Sequence, residues 1–322
     1  MLNRRILRIK AFKVLYSYAE NPSMTLQEAE SCLETSMEAT RTLYIFLLGV
    51  IPAITGEAAR RTEDARNKFN PTEEERNPNM KFVENSLAPL LDQDPDFQKA
   101  FGKRKLDWEQ YDAFLRSLYE SVCSKDWYKE YMSSPERSLR EDVKLFTRMF
   151  EEEFSGNEAL ESILEDLSIW WNDDLEYSLT ACCDTLRDIA LGQRWELPPL
   201  FKSQMPSHSR SRKPDDSDRQ FVTRLLRTAY SCYGKYSALV ADSTSQWDVD
   251  RLFVTDIVLI VMGLAEAKAF PDMPLKVTIN EYVEISKFYS TPKSRSFVNG
   301  ILDRLVKKLI GEGEIVKTEI ID

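Results

Sequence analysis

The sequence predicts an all-α protein. Apolar residues recur at helical spacing along most of the chain, no sustained two-residue alternation appears, and only 10 glycines punctuate 322 residues. An apolar content of 43% supports a real core, and the length allows one large domain or two modest ones.

Asn3 is placed to cap a first helix that runs to about Glu20. Its apolar face holds Leu7, Ala11, Val14, Leu15 and Tyr18; Arg4, Arg5 and Arg8 lie along one edge, and Lys10 and Lys13 away from it. Cations in a first turn oppose the helix dipole, so the arginines read either as a solvated edge or as charges serving a partner. After Asn21-Pro22, Thr25 and Glu28 have the capping-box spacing. The helix they open passes through an apolar stretch, 43–50, that calls for burial, and Pro52 predicts a kink or break. A charged continuation carries Arg60, Arg61 and Arg66.

Asn70-Pro71 and Asn77-Pro78 mark a turn-rich break. Helical patterns then resume over 106–123, with Trp108, Tyr111, Leu115 and Leu118 in step, after Ser138 with Glu141, after Asn157, and through Leu175, Leu179, Leu186 and Ile189. The run Trp170-Trp171-Asn172-Asp173-Asp174 has two readings. It is a helix junction with tryptophan in the core and aspartate as the cap, or a carboxylate pair beside aromatics that binds a cation. Residues 198–217 read as a linker rich in serine, proline and charge, with His208, Arg210, Arg212 and Lys213 as a short basic run.

A helix over 218–243 follows, then one over 248–270 that is apolar on most of its surface and so belongs in the middle of a domain. Pro271 stops it. Thr278 and Glu281 have capping-box spacing for the next helix. The last helix begins after Ser290 to Ser294 and puts Phe297, Val298, Ile301, Leu302, Leu305 and Leu309 on one face. Gly300 inside that pattern suggests close helix packing or a backbone contact.

The formal net charge of -10 has the wrong sign for a nucleic-acid binder as a whole, yet it is unevenly placed: the first twenty residues are basic, the middle strongly acidic and the final third balanced. Five cysteines at irregular spacing, without a C-x-x-C, and one histidine, argue against a disulfide framework or a zinc site. Neighbouring Cys182 and Cys183 read as small helix residues. No paired acid–base or nucleophile constellation, P-loop or G-x-G-x-x-G is present, so neither an enzyme nor a bound cofactor is expected. No run of roughly 18 apolar residues suggests a membrane span, and no apolar segment follows the basic N-terminus as in a secretory signal, so the cytoplasm is the expected location.

The C-terminal phrases carry a resemblance. Trp247, Asp250 and Arg251, then Asp256 and Glu266, then Ile279, Asn280, Glu281, Val283, Glu284 and Lys287, then Phe297, Val298, Asn299, Gly300, Leu302 and Asp303 follow one another as in the C-terminal half of the NusB family. At the N-terminus Arg4, Arg5, Arg8, Ala11, Leu15 and Tyr16 resemble that family's arginine-rich first helix, with Leu7 where a small residue is usual. The resemblance implies a helical bundle split by a helical insertion: residues 1–65 and 217–322 form the NusB-like domain, and 66–216 the insertion and linker. It also implies a transcription antitermination and termination factor that binds boxA-type RNA with the ribosomal protein NusE, within the RNA polymerase antitermination complex. The RNA-binding residues it implies are Arg4, Arg5 and Arg8. The start of the last helix, with Thr291, Lys293, Ser294 and Arg295, is a second phosphate-binding candidate, because free backbone N–H groups, hydroxyls and cations converge there. Tyr16 and Phe297 are candidates for stacking on bases, with core packing as the other reading. The alternative function is a protein–protein scaffold that keeps the fold without an RNA role.

Overall fold

A computed structural model describes residues 2–201, 217–244 and 253–318. All regular elements among these are helices, as the periodicity requires. Trp247, Asp250 and Arg251 of the resemblance, and the basic run at His208, lie outside the described residues.

The chain divides into two compact units, Met1–Met37 with Pro199–Asp322 (unit 1) and Glu38–Pro198 (unit 2). Helix α1 (Arg4–Glu20) is capped by Asn3, whose side chain accepts from the Ile6 amide. Helix α2 (Leu26–Leu48) opens on the expected capping box, with the Glu28 carboxylate accepting from the Thr25 amide at 2.7 Å and the Thr25 hydroxyl accepting from the Glu28 amide at 3.3 Å. It starts in unit 1 and ends in unit 2. The break expected at Pro52 falls at Gly49 instead: α3 (Val50–Arg66) begins there, and Pro52 occupies its first turn, where a missing N–H breaks no intrahelical bond.

Unit 2 continues through α4 (Glu73–Arg76), α5 (Leu87–Asp92), α6 (Pro95–Lys103), α7 (Asp112–Ser124), α8 (Asp126–Ser133), α9 (Leu139–Glu153), α10 (Glu158–Leu167) and α11 (Leu175–Ala190). The helix expected over 106–123 starts later, because Lys105 takes a left-handed conformation (φ 52°) and a short 3-10 turn, Glu109–Tyr111, precedes α7. Trp108 is buried all the same, stacked on Phe46 at 4.1 Å between ring centroids and donating its indole N–H to the Phe46 carbonyl at 2.8 Å. Leu43 to Leu48, Val50, Ile51 and Ile54 are all buried in this same core. That burial moves the domain boundary: the end of α2 and all of α3 pack with the insertion, so unit 2 begins at residue 38 rather than 66. Taken as one run, α2 and α3 are long and apolar enough to cross a membrane, but 72% of the relevant stretch is buried inside the protein, as in a core helix.

The 170–174 run is a junction. Trp171 is buried, stacks 5.7 Å from Phe46 and donates to the Ala39 carbonyl. Asp174 precedes α11 without a side-chain cap bond and accepts instead from the Thr40 hydroxyl at 2.7 Å. Cys182 and Cys183 are buried free thiols; burial pushes Cys183 up to about 11 and Cys182 up as well, which suppresses thiolate chemistry.

Unit 1 is completed by α12 (Ser217–Thr244), α13 (Val254–Ala269), α14 (Leu275–Tyr289) and α15 (Ser294–Gly311). Helix α13 is buried from Val258 to Ala267 and packs on α1, α12, α14 and α15, so it is the central helix its composition called for. The close approach expected at Gly300 occurs at Gly263 instead. A Cβ on Gly263 would lie 2.6 Å from a Leu302 methyl and 3.3 Å from the Tyr282 ring, whereas Gly300 faces open space.

The two glycines therefore respond in opposite directions to alanine. Gly263→Ala should lower stability by about 1–2 kcal/mol through overpacking, and Gly300→Ala should raise it by up to about 1 kcal/mol through helix propensity. Urea unfolding of the two variants measures both signs.

Candidate nucleic-acid interface

The first helix reaches α13 and α14 through its arginines, and each plays a different part. Arg8 is buried, with its side chain 4% exposed. Its Nε and one terminal nitrogen donate to the two oxygens of Glu266 at 2.7 and 2.8 Å, a bidentate pair. Glu266, wholly buried in α13, also accepts from the Thr278 hydroxyl at 2.9 Å and the Tyr282 phenol at 3.0 Å. Four donors thus satisfy one buried carboxylate. Desolvation opposes the charged guanidinium, but the bonds to Glu266 outweigh it and hold the Arg8 pKa above its ordinary value. Burial, with the Glu266 charge beside it, drives the Tyr282 phenol far above its usual range.

Arg5 is half exposed and makes its own bidentate pair with Glu281 of α14, at 2.9 and 3.0 Å. The hydrogen bonds from Arg5 hold the Glu281 carboxyl below its ordinary value. Arg4 is also half exposed, 3.4 Å from Asp218 and 5.0 Å above the Phe221 ring of α12. Lys10, expected to point away from the core, is buried, with its ammonium donating to the Ser36 carbonyl at 2.8 Å. That bond gives the buried ammonium an acceptor in place of water.

Thr278 and Glu281 do not form the expected capping box. Helix α14 starts one turn earlier, after Pro274, so Thr278 lies inside it and turns its hydroxyl to Glu266, while Glu281 turns to Arg5. Of the group at the start of α15, Ser294 is buried. Its hydroxyl donates to Asp256 at 2.8 Å and is bonded by the Ser290 and Thr291 hydroxyls at 2.8 and 2.9 Å. It anchors the turn inward instead of facing solvent. Lys293 and Arg295 on either side are exposed, and neither has an ion pair among the described residues.

The two candidate regions meet. The hydrogen bond from Lys287, with the Lys287, Arg295 and Arg5 charges, holds the Glu284 carboxyl below its ordinary value, and Arg5 pairs with Glu281 one turn earlier on α14. Two turns after Arg5 on the same side of α1, Phe12 lies 6.4 Å from Tyr16 and 5.0 Å from Tyr289, at the end of α14. Tyr16 and Phe297 are both partly buried. The aromatic that sequence reasoning missed is Phe288, 79% exposed in the last turn of α14. Its place outside every apolar stripe was the available signal. Glu266 was legible in another way: an acid in the middle of a helix that is apolar on most of its surface demands a buried cationic partner.

Charge separates the two units. Unit 2 carries 33 acidic and 20 basic residues, net -13, whereas unit 1 carries 20 acidic and 23 basic, net +3. An all-helical domain with a basic face, built from the two ends of one chain around an acidic insertion, is the class this geometry defines. Residues 195–307 match the family model described as NusB family. Proteins named transcription antitermination protein NusB resemble the chain as well. That of Desulforapulum autotrophicum is 34% identical over 128 residues, covering 39% of this chain and 86% of the relative. Those of Salinibacter ruber and Chloroherpeton thalassium are 33% and 32% identical over 104 residues, 32% of this chain, which spans only 65% and 49% of their own lengths. No solved structure matches. The chain belongs to the NusB family.

Removing one member of a buried ion pair strands the other. Arg8→Ala should destabilise the protein by about 3–5 kcal/mol, far more than Arg4→Ala, whose exposed pair is worth about 0–1 kcal/mol; denaturant unfolding separates the two. The depressed Glu281 gives a pH signature. Its contribution to stability is complete above the ordinary carboxylate value of 4.5 and is lost as pH falls through the lowered folded value. Glu281→Gln should flatten that acid limb in a stability-against-pH series.

Proposed function

We propose that unit 1 is an RNA-binding transcription antitermination module. In this reading it engages boxA-type RNA together with NusE and joins the RNA polymerase antitermination complex during ribosomal RNA transcription in the cytoplasm. The observation that carries the reading is the meeting of α1 with the α14–α15 turn in the basic unit of an otherwise acidic chain. Lys293 and Arg295 supply cations without ion-pair partners among the described residues, and Arg4 and Arg5 retain donors beyond those given to Asp218 and Glu281. Phosphate oxygens accept from such groups without regard to sequence, and Phe288 offers an exposed ring for a base. Arg8 acts from beneath, as the residue that positions this edge.

One observation favours a second reading, a protein–protein scaffold without an RNA role. All three arginines of α1 are already matched to carboxylates, so an incoming phosphate competes with Asp218 and Glu281.

Fluorescence anisotropy on boxA RNA and a scrambled control, with and without NusE, decides between the readings. The RNA reading expects preference for boxA in the presence of NusE, and equal binding to both RNAs leaves the scaffold. Lys293→Ala and Arg295→Ala should each weaken binding and reduce the salt slope by about 0.7, the share of one single-strand phosphate contact. Glu281→Gln should strengthen binding by releasing Arg5 and removing a negative charge. Phe288→Ala should weaken binding at unchanged thermal stability, since its ring is not part of the core.

A further inference from the structure

Unit 2 contains an open cleft of about 500 Å³ that the RNA reading does not use. Its floor is the face of α3 that presents Pro52, Ala53 and Gly56, with Gly49 at the α2–α3 junction. These small residues keep the floor shallow. A Cβ on Gly49 would overlap the Phe101 ring, so that glycine lets Phe101 lean against the junction as one wall, while Gly56 opens onto free space. Phe97, Trp108 and Leu115, each almost fully buried, complete the apolar lining.

The polar rim is acidic. Its cation, Arg60, is already matched, bonding to Glu57 and lying 3.2 Å from Asp112. Glu57 is further bound by Arg61 at 2.7 Å. Asp92, Asp107 and Glu109 remain, and none of them has an ion pair among the described residues. They lie on two separate segments, Asp92 at the end of α5 and the other two on either side of Trp108. Partial desolvation lifts the Asp92 carboxyl above its ordinary value although the residue stays exposed, and a cation beside it favours the charged form.

We propose that this cleft docks a basic segment of a partner protein, one apolar side chain seated on the α3 floor between Phe97, Phe101 and Trp108, with flanking lysines or arginines paired to Asp92, Asp107 and Glu109. The volume fits one large side chain with its neighbours. The spread of the three carboxylates over two segments calls for several cations on one chain rather than a single small ion. The net charge of -13 on unit 2 steers such a segment toward the cleft and repels nucleic acid.

The test uses the full chain and a fluorescein-labelled nine-residue peptide, alternating lysine and arginine around a central phenylalanine, read by anisotropy. Two variants probe the two halves of the cleft independently. Asp92→Asn with Asp107→Asn and Glu109→Gln neutralises the rim at exposed or half-exposed positions, and Gly56→Leu fills the floor from a position with open space above it. Each should weaken the peptide by about tenfold. A central serine in place of phenylalanine should weaken it comparably, and spermidine should fail to displace it at equal concentration. Unchanged affinity in the rim variant, or absence of binding to the unaltered protein, overturns the proposal. Equal displacement by spermidine overturns the apolar anchor and leaves a nonspecific acidic surface. Circular dichroism of both variants verifies the helical fold, and the rim variant decides alone if Gly56→Leu does not fold.

Discussion

One buried ion pair organises unit 1. Arg8 comes from the first helix and Glu266 from the central helix α13, 258 residues away in sequence, and both are almost fully withdrawn from water. A charge in that position is tolerated only when its partner geometry is complete. Here it is: two guanidinium bonds, a hydroxyl and a phenol all converge on one carboxylate. The Arg8 guanidinium also lies 5.1 Å above the Phe221 ring of α12. The network therefore fixes α1 against α12, α13 and α14 at once. Hydrophobic packing alone tolerates small slides of one helix over another; a bidentate pair does not, because a shift of one residue would strand two charges.

That anchor determines what the rest of the α1 edge can do. Arg4 and Arg5 emerge at the surface on either side of it, held near Asp218 and Glu281. The Ser294–Asp256 bond plays the matching role at the other end of the face, tying the start of α15 down so that Lys293 and Arg295 project outward. Buried polar contacts thus support an exposed polar surface. The arginines that look most alike in sequence divide into one that builds the face and two that belong to it.

The insertion follows a different plan. Unit 2 is cored by aromatic side chains whose polar atoms find partners: Trp108 bonds to the Phe46 carbonyl, Trp171 to that of Ala39, and Trp195 to the Tyr44 hydroxyl. Lys81 is buried with its ammonium shared between the Tyr131 and Ser134 carbonyls and Glu141. Its acidic exterior and the basic character of unit 1 suit opposite kinds of partner. The insertion recruits the second half of α2 into its core, so the first crossing of the chain from unit 1 to unit 2 lies within a helix, whereas the return at Pro198 to Pro199 lies outside any helix.

The sequence by itself determined the helical class, the position of most helices, and the central place of α13, since apolar periodicity and capping residues are local signals. Asn3, Thr25 with Glu28, and Asn157 cap their helices as local chemistry demands. The resemblance of the C-terminal phrases, carried by residue order alone, named the family. Tertiary structure decided where polar residues spend their hydrogen bonds. Thr278 and Glu281 have perfect spacing for a cap, yet Glu266 and Arg5 offer them better partners across space. Gly300 and Gly263 look equivalent in a helical pattern, and only the neighbouring Leu302 and Tyr282 distinguish them. Arg8 reads as one more cation on an amphipathic edge until Glu266 is found beneath it. Spacing records what a residue can do within its own helix, whereas burial and long-range partners, which no local pattern encodes, settle what it does.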